Sequence, residues 1–228
     1  MRVLAIGAHP DDIEIACSGT LAKCVKRGDK VIVCHASTGN LGHVIIPPDE
    51  LTEIRKKEAE KAGSLAGIEV IGGMFNDLDI FDNNKAARDK MVEVIKYAQP
   101  DFIITHNPDD YMPDHTAVSR LVFDASFTAT LPNYKCGGEK AAKLVPIYYM
   151  DTLAGVNFNP TEFVDISDEI DLKIKMLECH ESQLVWMKEH DGIDFADMVR
   201  TWSRYRGYEC GAAYAEGFRQ CQVYLKGT

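Results

Sequence analysis

The apolar run VLAIGA at residues 3–8 leads directly into the polar turn HPDD at residues 9–12, and this junction decides the fold. The run is short and aliphatic, as is typical of a strand buried on both faces of a parallel sheet. Such sheets bind ligands at the carboxyl ends of their strands. The junction therefore predicts a central first strand followed by a turn that carries function.

Short apolar runs and amphipathic stretches alternate along the rest of the chain. The further predicted strands are 30–35, 69–72, 101–105, 145–150 and 162–166. The predicted helices are 15–27, 49–66, 84–98, 168–177 and 195–204. This order, with short connections, favours an α/β fold with a mostly parallel sheet and helices on both faces. We expect one domain over residues 1–228, because no linker or repeat interrupts the pattern.

Composition narrows the class of protein. The 228 residues include 25 basic and 35 acidic side chains, and this net charge of −10 argues against nucleic acid or an anionic membrane as the main partner. No apolar run approaches the roughly 18 residues of a membrane span. The seven cysteines are scattered without a CxxC pair, and no signal peptide is evident. We therefore expect a cytoplasmic protein with reduced thiols.

The turn after the first strand offers one imidazole and two carboxylates, those of His9, Asp11 and Asp12. A dinucleotide-binding turn would need more glycines and would not set carboxylates against a pyrophosphate. A catalytic zinc ion needs about three protein ligands and an open position, so this turn can supply half of such a site. A single histidine or aspartate here is explained by core packing or helix capping, but the three together exceed what a cap requires.

A second polar segment, HNPDDYMPDH at residues 106–115, follows the fourth predicted strand. The first and fourth strands of a doubly wound sheet commonly lie side by side, so this segment can face the His9 turn. His115, at the start of a predicted helix, is the candidate third metal ligand, and Asp114 is the candidate carboxylate that orients it. His106 is equally well explained as a loop histidine that hydrogen-bonds to the local backbone and as a residue of the site.

Several segments together resemble the LmbE/PIG-L superfamily of zinc-dependent N-acetylglucosaminyl deacetylases, from residue 3 to about residue 220. The segments that carry the resemblance are Ala8–Asp12, Arg55 with Glu58, Pro113–His115, Cys179–Gln183 and Tyr214–Phe218. The resemblance implies a Rossmann-like three-layer sandwich, a Zn²⁺ cofactor and removal of an N-acetyl group from a small amino-sugar substrate. It also implies assembly as a homo-oligomer.

The resemblance assigns roles to the residues of the two polar segments. It implies that His9, Asp12 and His115 bind zinc and that Asp11 is the general base, which accepts a proton from the attacking water. Zinc would lower the pKa of that water toward about 7 and polarise the amide carbonyl.

One position departs from the family pattern. Many members have a histidine three residues before the last zinc ligand, where this chain has Met112, whose thioether donates no proton. His180, His106 and Tyr111, in that order, are the candidates to replace that histidine.

Four residues are candidates for substrate binding: Arg55, Glu58, Asp77 and Tyr111. Arg55 and Glu58 match family positions near the active site, and Asp77 follows the third strand. A surface or capping role explains Arg55, Glu58 and Asp77 at least equally well, and the Tyr111 ring is of the type that packs on a sugar face.

Three other functions stay open at this point. A metal-binding protein without catalysis fits the loss of the histidine at Met112. A related amidase acting on another small glycoside fits the same motifs. A nucleotide-binding α/β domain fits the fold class, although the acidic turn argues against it.

Overall fold

The computed structural model describes residues 1–223, which form one seven-stranded sheet with helices on both faces. The strands are β1 Arg2–Gly7, β2 Lys30–Ser37, β3 Glu69–Phe75, β4 Phe102–Thr105, β5 Ile147–Met150, β6 Glu162–Asp165 and β7 Ala215–Gln220. Their order in the sheet is β3-β2-β1-β4-β5-β7-β6. Strands β1 to β5 pair in parallel, and β7 runs antiparallel to both β5 and β6. The predicted α/β fold with a mostly parallel sheet is confirmed.

Eight helices cover the sheet along the part of the chain that the structure describes. They are α1 Asp12–Ala16, α2 Ser18–Lys26, α3 Pro48–Ala66, α4 Lys85–Ala98, α5 Pro113–Thr128, α6 Ile170–Leu177, α7 Glu181–His190 and α8 Phe195–Cys210. None of the helices within residues 1–223 is both long and apolar enough to cross a bilayer. The predicted single domain also includes residues 224–228, which lie outside the described residues.

The alternation of side chains along β1 divides the core into two layers. Leu4 and Ile6 are buried in the cluster that α4 and α5 cover. Val3 and Ala5 point to the opposite face, where α1, α2, α3 and α6 contribute the packing side chains. Both faces of β1 are therefore apolar, which is why its sequence is an unbroken aliphatic run.

The helix predicted at residues 15–27 is two helices, α1 and α2, and this prediction is wrong. Cys17, with φ −147°, is not in a helical conformation and separates the two helices. The Glu216 carboxylate accepts hydrogen bonds from the backbone N–H groups of Gly19 at 2.9 Å and Thr20 at 2.7 Å. A distant carboxylate thus satisfies the start of α2, a partner that local sequence cannot reveal.

Two elements of the C-terminal third, α7 and β7, were not predicted. Glu216 lies on β7 and also contacts the ammonium of Lys173 on α6, at 2.6 Å. Lys173 donates a second hydrogen bond, of 2.7 Å, to the carbonyl of Ile15 on α1. The pair of Lys173 and Glu216, both in the C-terminal third, therefore fixes the position of the short helix α1.

We expect Lys173→Met to destabilise the protein by about 3–5 kcal/mol, because it leaves the Glu216 carboxylate buried without its cation. Urea unfolding measures the free energy of unfolding. Lys175→Met, an exposed position on the same helix, is the matched control and should change it little. An equal, small effect of both substitutions would contradict a stabilising role for this ion pair.

Candidate metal centre and active site

The parallel pairing of β1 with β4 brings the two polar segments together. The turn at residues 8–12 follows β1, and the loop at residues 106–112 follows β4. The backbone N–H of Ala8 donates a hydrogen bond of 2.8 Å to His106 Nε2. The His106 ring is buried and stacks on the ring of His115 with centroids 3.9 Å apart. His106 Nε2 also lies 3.1 Å from Asp12 Oδ2, so His106 contacts the turn after β1 at two points and links the two segments.

His9, Asp12 and His115 converge on one point, with one ligand atom from each within 4.8 Å of the others. His9 Nδ1 is 3.6 Å from Asp12 Oδ2, and His115 Nε2 is 3.3 Å from Asp12 Oδ1. His115 Nε2 is buried and has no hydrogen-bond partner among residues 1–223. An unpaired imidazole nitrogen beside a carboxylate and a second imidazole fits a divalent metal with two histidine ligands and one carboxylate ligand.

Each of the two histidines is held by a carboxylate at its other ring nitrogen. His115 Nδ1 lies 2.9 Å from Asp110 Oδ2, and His9 Nε2 lies 3.1 Å from Asp114 Oδ2. Such carboxylates fix the orientation and tautomer of metal-binding histidines. In the structure Asp114 therefore contacts His9, whereas the sequence predicts that it orients His115.

Asp110 was missed in the sequence as the partner of His115. Its Oδ1 accepts a hydrogen bond of 3.0 Å from the backbone N–H of Met112, two residues on. That contact is an Asx turn, which an aspartate shortly before a proline favours. The sequence can indicate this turn, but it does not indicate that the other carboxylate oxygen contacts His115.

Carboxylates raise the proton affinity of both histidines. Burial alone would lower the pKa of His9, but hydrogen bonds to Asp114 and Asp12 outweigh it and raise the pKa to about 10. Burial likewise opposes protonation of His115, yet the Asp12 charge and the hydrogen bond to Asp110 raise its pKa to about 9. The carboxylates therefore stabilise positive charge at this cluster.

Asp11 lies beside the cluster in a strained backbone conformation. Its φ of 120° is rare for a residue with a side chain. Asp11 Oδ2 is 3.1 Å from Arg55 Nη2. Burial raises the pKa of Asp11 to about 6, against the opposing effect of Arg55.

Arg55 and Asp77 hydrogen-bond mainly to backbone groups, those of the loop that follows β2 and, for Arg55, also of the turn that follows β1. Buried Arg55 donates hydrogen bonds to the carbonyls of Gly39 and Pro10. The Asp77 carboxylate accepts hydrogen bonds from the N–H groups of Gly39 and Leu41, both at 2.9 Å. Both side chains line the cavity described below, and both hold this loop against it.

The structure does not bring three of the sequence candidates into the cavity. Both oxygens of Glu58 accept hydrogen bonds from Ser182, and this contact anchors the start of α7. Tyr111 is 51% exposed and does not line the cavity. His180 is fully buried, with Nε2 3.3 Å from Glu14 Oε2, and does not reach the cavity either.

A cavity of about 330 Å³ opens at the metal cluster. The polar residues that line it are His9, Asp11, Asp12, Arg55, Asp77, His106, Asp110, Asp114, His115, Asp151 and Gln183. Met112 also lines it, at the position where many family members carry a histidine. The arrangement can bind a divalent metal and a small substrate, with the Asp11 carboxylate within the same cavity.

Fold and site together define an α/β protein with a His/Asp cluster able to bind a metal, and the comparison with known families shows to which family it belongs. The PIG-L family, described as GlcNAc-PI de-N-acetylase, matches residues 4–126. The chain therefore belongs to this family, as its motifs predicted.

Two relatives in this family are named as deacetylases. Diacetylchitobiose deacetylase of Thermococcus kodakarensis is 29% identical over 233 residues, covering 96% of this chain and 82% of the relative. The solved structure of N,N'-diacetylchitobiose deacetylase from Pyrococcus horikoshii, with its inhibitor, matches with a TM-score of 0.82 at 26% identity. It covers 96% of this chain and 83% of that one. These relatives agree with the predicted assignment to enzymes of the N-deacetylase type.

A third relative has a different activity in its name. The 4-oxalmesaconate hydratase of Pseudomonas putida is 27% identical over 189 residues, which cover 79% of this chain and 73% of the relative. Similarity at this level therefore extends to proteins with more than one kind of reaction.

We expect Asp110→Ala to lower the affinity for Zn²⁺ by about 10- to 100-fold, because the His115 ring loses the carboxylate that orients it. Competition with a chromophoric chelator measures the affinity. Asp109→Ala, at the exposed neighbouring position, is the matched control and should bind as the wild type does. Unchanged affinity in Asp110→Ala would exclude this role.

Proposed function

We propose that this protein is a zinc-dependent hydrolase that removes the N-acetyl group from an N-acetylglucosamine-type sugar or glycoside. The observation that carries the proposal is the presence of the Asp11 carboxylate in one cavity with the cluster of His9, Asp12 and His115. The relatives named as deacetylases support the same reaction.

His9, Asp12 and His115 would hold the zinc ion. When bound, zinc acts as a Lewis acid that makes water more acidic and polarises a carbonyl oxygen. Asp110 and Asp114 keep the two histidines turned toward it.

Asp11 accepts a proton from the attacking water in this proposal. Arg55 Nη2 lies 3.1 Å from one of its oxygens, and Asp11 is not one of the three residues of the ligand cluster. Once the amide carbon–nitrogen bond breaks, the same carboxyl group gives its proton to the departing nitrogen. Acetate and a free amine then leave the cavity.

Asp11 carries both proton transfers because the other candidates are poorly placed. Met112 has no proton to donate. His180 does not line the cavity. His106 lines it, but its Nε2 is already engaged by the Ala8 N–H and by the Asp12 carboxylate.

The charge of the cavity favours an amide of a neutral sugar over a substrate with several carboxylates. Six carboxylates line the cavity: Asp11, Asp12, Asp77, Asp110, Asp114 and Asp151. Among the lining residues within 1–223, Arg55 is the one arginine or lysine, and it faces Asp11. A hydratase substrate with several negative charges would meet repulsion here, whereas a departing amine gains from nearby carboxylates.

Acetate release from a panel of N-acetylglucosamine monosaccharides, disaccharides and glycosides tests the proposed reaction. We expect the zinc-loaded wild type to release acetate and Asp11→Asn to lose about 10²- to 10⁴-fold in rate while retaining zinc. The exposed variant Asp79→Asn is the matched control. Full activity in Asp11→Asn would overturn its role, and hydration of an unsaturated dicarboxylate without acetate release would favour the hydratase reaction instead.

Zinc removal tests the cofactor separately from the reaction. Dialysis against a chelator should abolish acetate release, and Zn²⁺ should restore it. Zn²⁺ at 100 times its Kd should also stabilise the folded protein by about 2.7 kcal/mol, measured by urea unfolding. His115→Ala should lose this stabilisation, whereas His190→Ala, an exposed histidine on α7, should keep it. Stronger binding and activity with another divalent ion would replace zinc in the proposal.

A further inference from the structure

A third apolar cluster packs behind the cavity in the C-terminal third of the chain. Its buried members are Ile166, Ile170, Ile174, Leu177, Phe195 and Val199. Three half-buried side chains pack against it and also line the cavity: Ile15, Leu153 and Met187. The cluster is therefore incomplete on the side that faces the cavity.

These three side chains come from separate elements that converge on one wall. Ile15 lies on α1, Leu153 begins the 3₁₀ turn Leu153–Gly155 after β5, and Met187 lies on α7. Phe195, the first residue of α8, is buried and also lines the cavity. We call these four residues the apolar wall of the cavity.

The charged residue beside the apolar wall is already paired. Asp151 lines the cavity, but Arg206 donates to both of its oxygens, from Nε at 2.6 Å and from Nη2 at 3.1 Å. Trp202 Nε1 donates a further hydrogen bond of 3.0 Å to Asp151 Oδ2. A sugar hydroxyl against the apolar wall would thus lose water and find few partners, which is unfavourable.

We propose that the substrate of this enzyme carries an apolar group that packs on the apolar wall while its acetamide or other acyl amide lies at the metal cluster. An apolar group there would complete the third cluster and remove its exposed side chains from water. The group is borne either by the sugar, as an apolar aglycone, or by the amide, as an acyl chain longer than acetyl. This inference rests on the proposed deacetylase function for its chemistry, but not for its binding.

Two pairs of substrates separate the two sources of the apolar group. Phenyl and methyl N-acetyl-β-glucosaminide share the amide and differ in the aglycone. N-hexanoyl- and N-acetylglucosamine share the sugar and differ in the acyl chain. We expect kcat/KM to be at least about tenfold higher for the apolar member of one pair.

Variants of the apolar wall test its role directly. Leu153→Ser should reduce that preference several-fold, by lowering kcat/KM for the apolar member more than for the less apolar one. Val156→Ser is the matched control, because Val156 is exposed just after the same turn and does not line the cavity. Met187→Ser, with exposed Val185→Ser on the same helix as its control, provides a second pair. Equal losses on both substrates, or equal effects of wall and control variants, would overturn the inference.

Binding keeps the inference testable if no substrate is hydrolysed. Calorimetry on the metal-loaded and the metal-free protein would compare phenyl with methyl N-acetyl-β-glucosaminide, and hexanoyl- with acetylglucosamine. Tighter binding of the apolar member, weakened by Leu153→Ser, supports the apolar wall even if the proposed reaction fails. Hydrolysis or binding without any apolar preference refutes the apolar wall and leaves the deacetylase proposal standing.

Discussion

The parallel pairing of β1 with β4 is the constraint on which the rest of the site depends. It sets the ends of two strands side by side although they lie about a hundred residues apart in the chain, with Ile6 opposite Thr105. The hydrogen bond from Ala8 N–H to His106 Nε2 ties the following segments together at the point where regular pairing stops. Two ligands from one segment and one from the other can then meet at one metal, which no single turn of this length could arrange.

The site concentrates buried negative charge that the fold has to balance. Asp77, Asp110 and Asp114 each accept hydrogen bonds from backbone N–H groups, and Arg55 faces Asp11. These contacts offset the cost of removing the carboxylates from water. The two histidines of the cluster, when protonated, or a cation held there would balance the remaining negative charge. The proposed metal binding would therefore also stabilise the two loops that follow β1 and β4.

The sequence was informative where function follows a strand and uninformative where partners are distant. The aliphatic run of β1 and the order of elements predicted the sheet, and the polar turns predicted which histidines and aspartates would meet. The pairing of Asp114 with His9, and of Asp110 with His115, depends on side-chain directions in a loop, which spacing alone does not specify. Glu58 was misleading because a carboxylate that caps a distant helix looks the same in sequence as one that binds a sugar.

The same distinction separates the reaction from the choice of substrate. All three predicted ligands and the proposed base lie between residues 9 and 115, inside the segment that the PIG-L family matches. Most of the apolar wall, by contrast, comes from residues 153–195, outside that segment. A chain can therefore keep the cluster of predicted ligands while the elements that follow β5 change the opposite wall of the cavity. Relatives named for deacetylation and for hydration are compatible with such a division, since one fold can carry different reactions when the residues around its site differ.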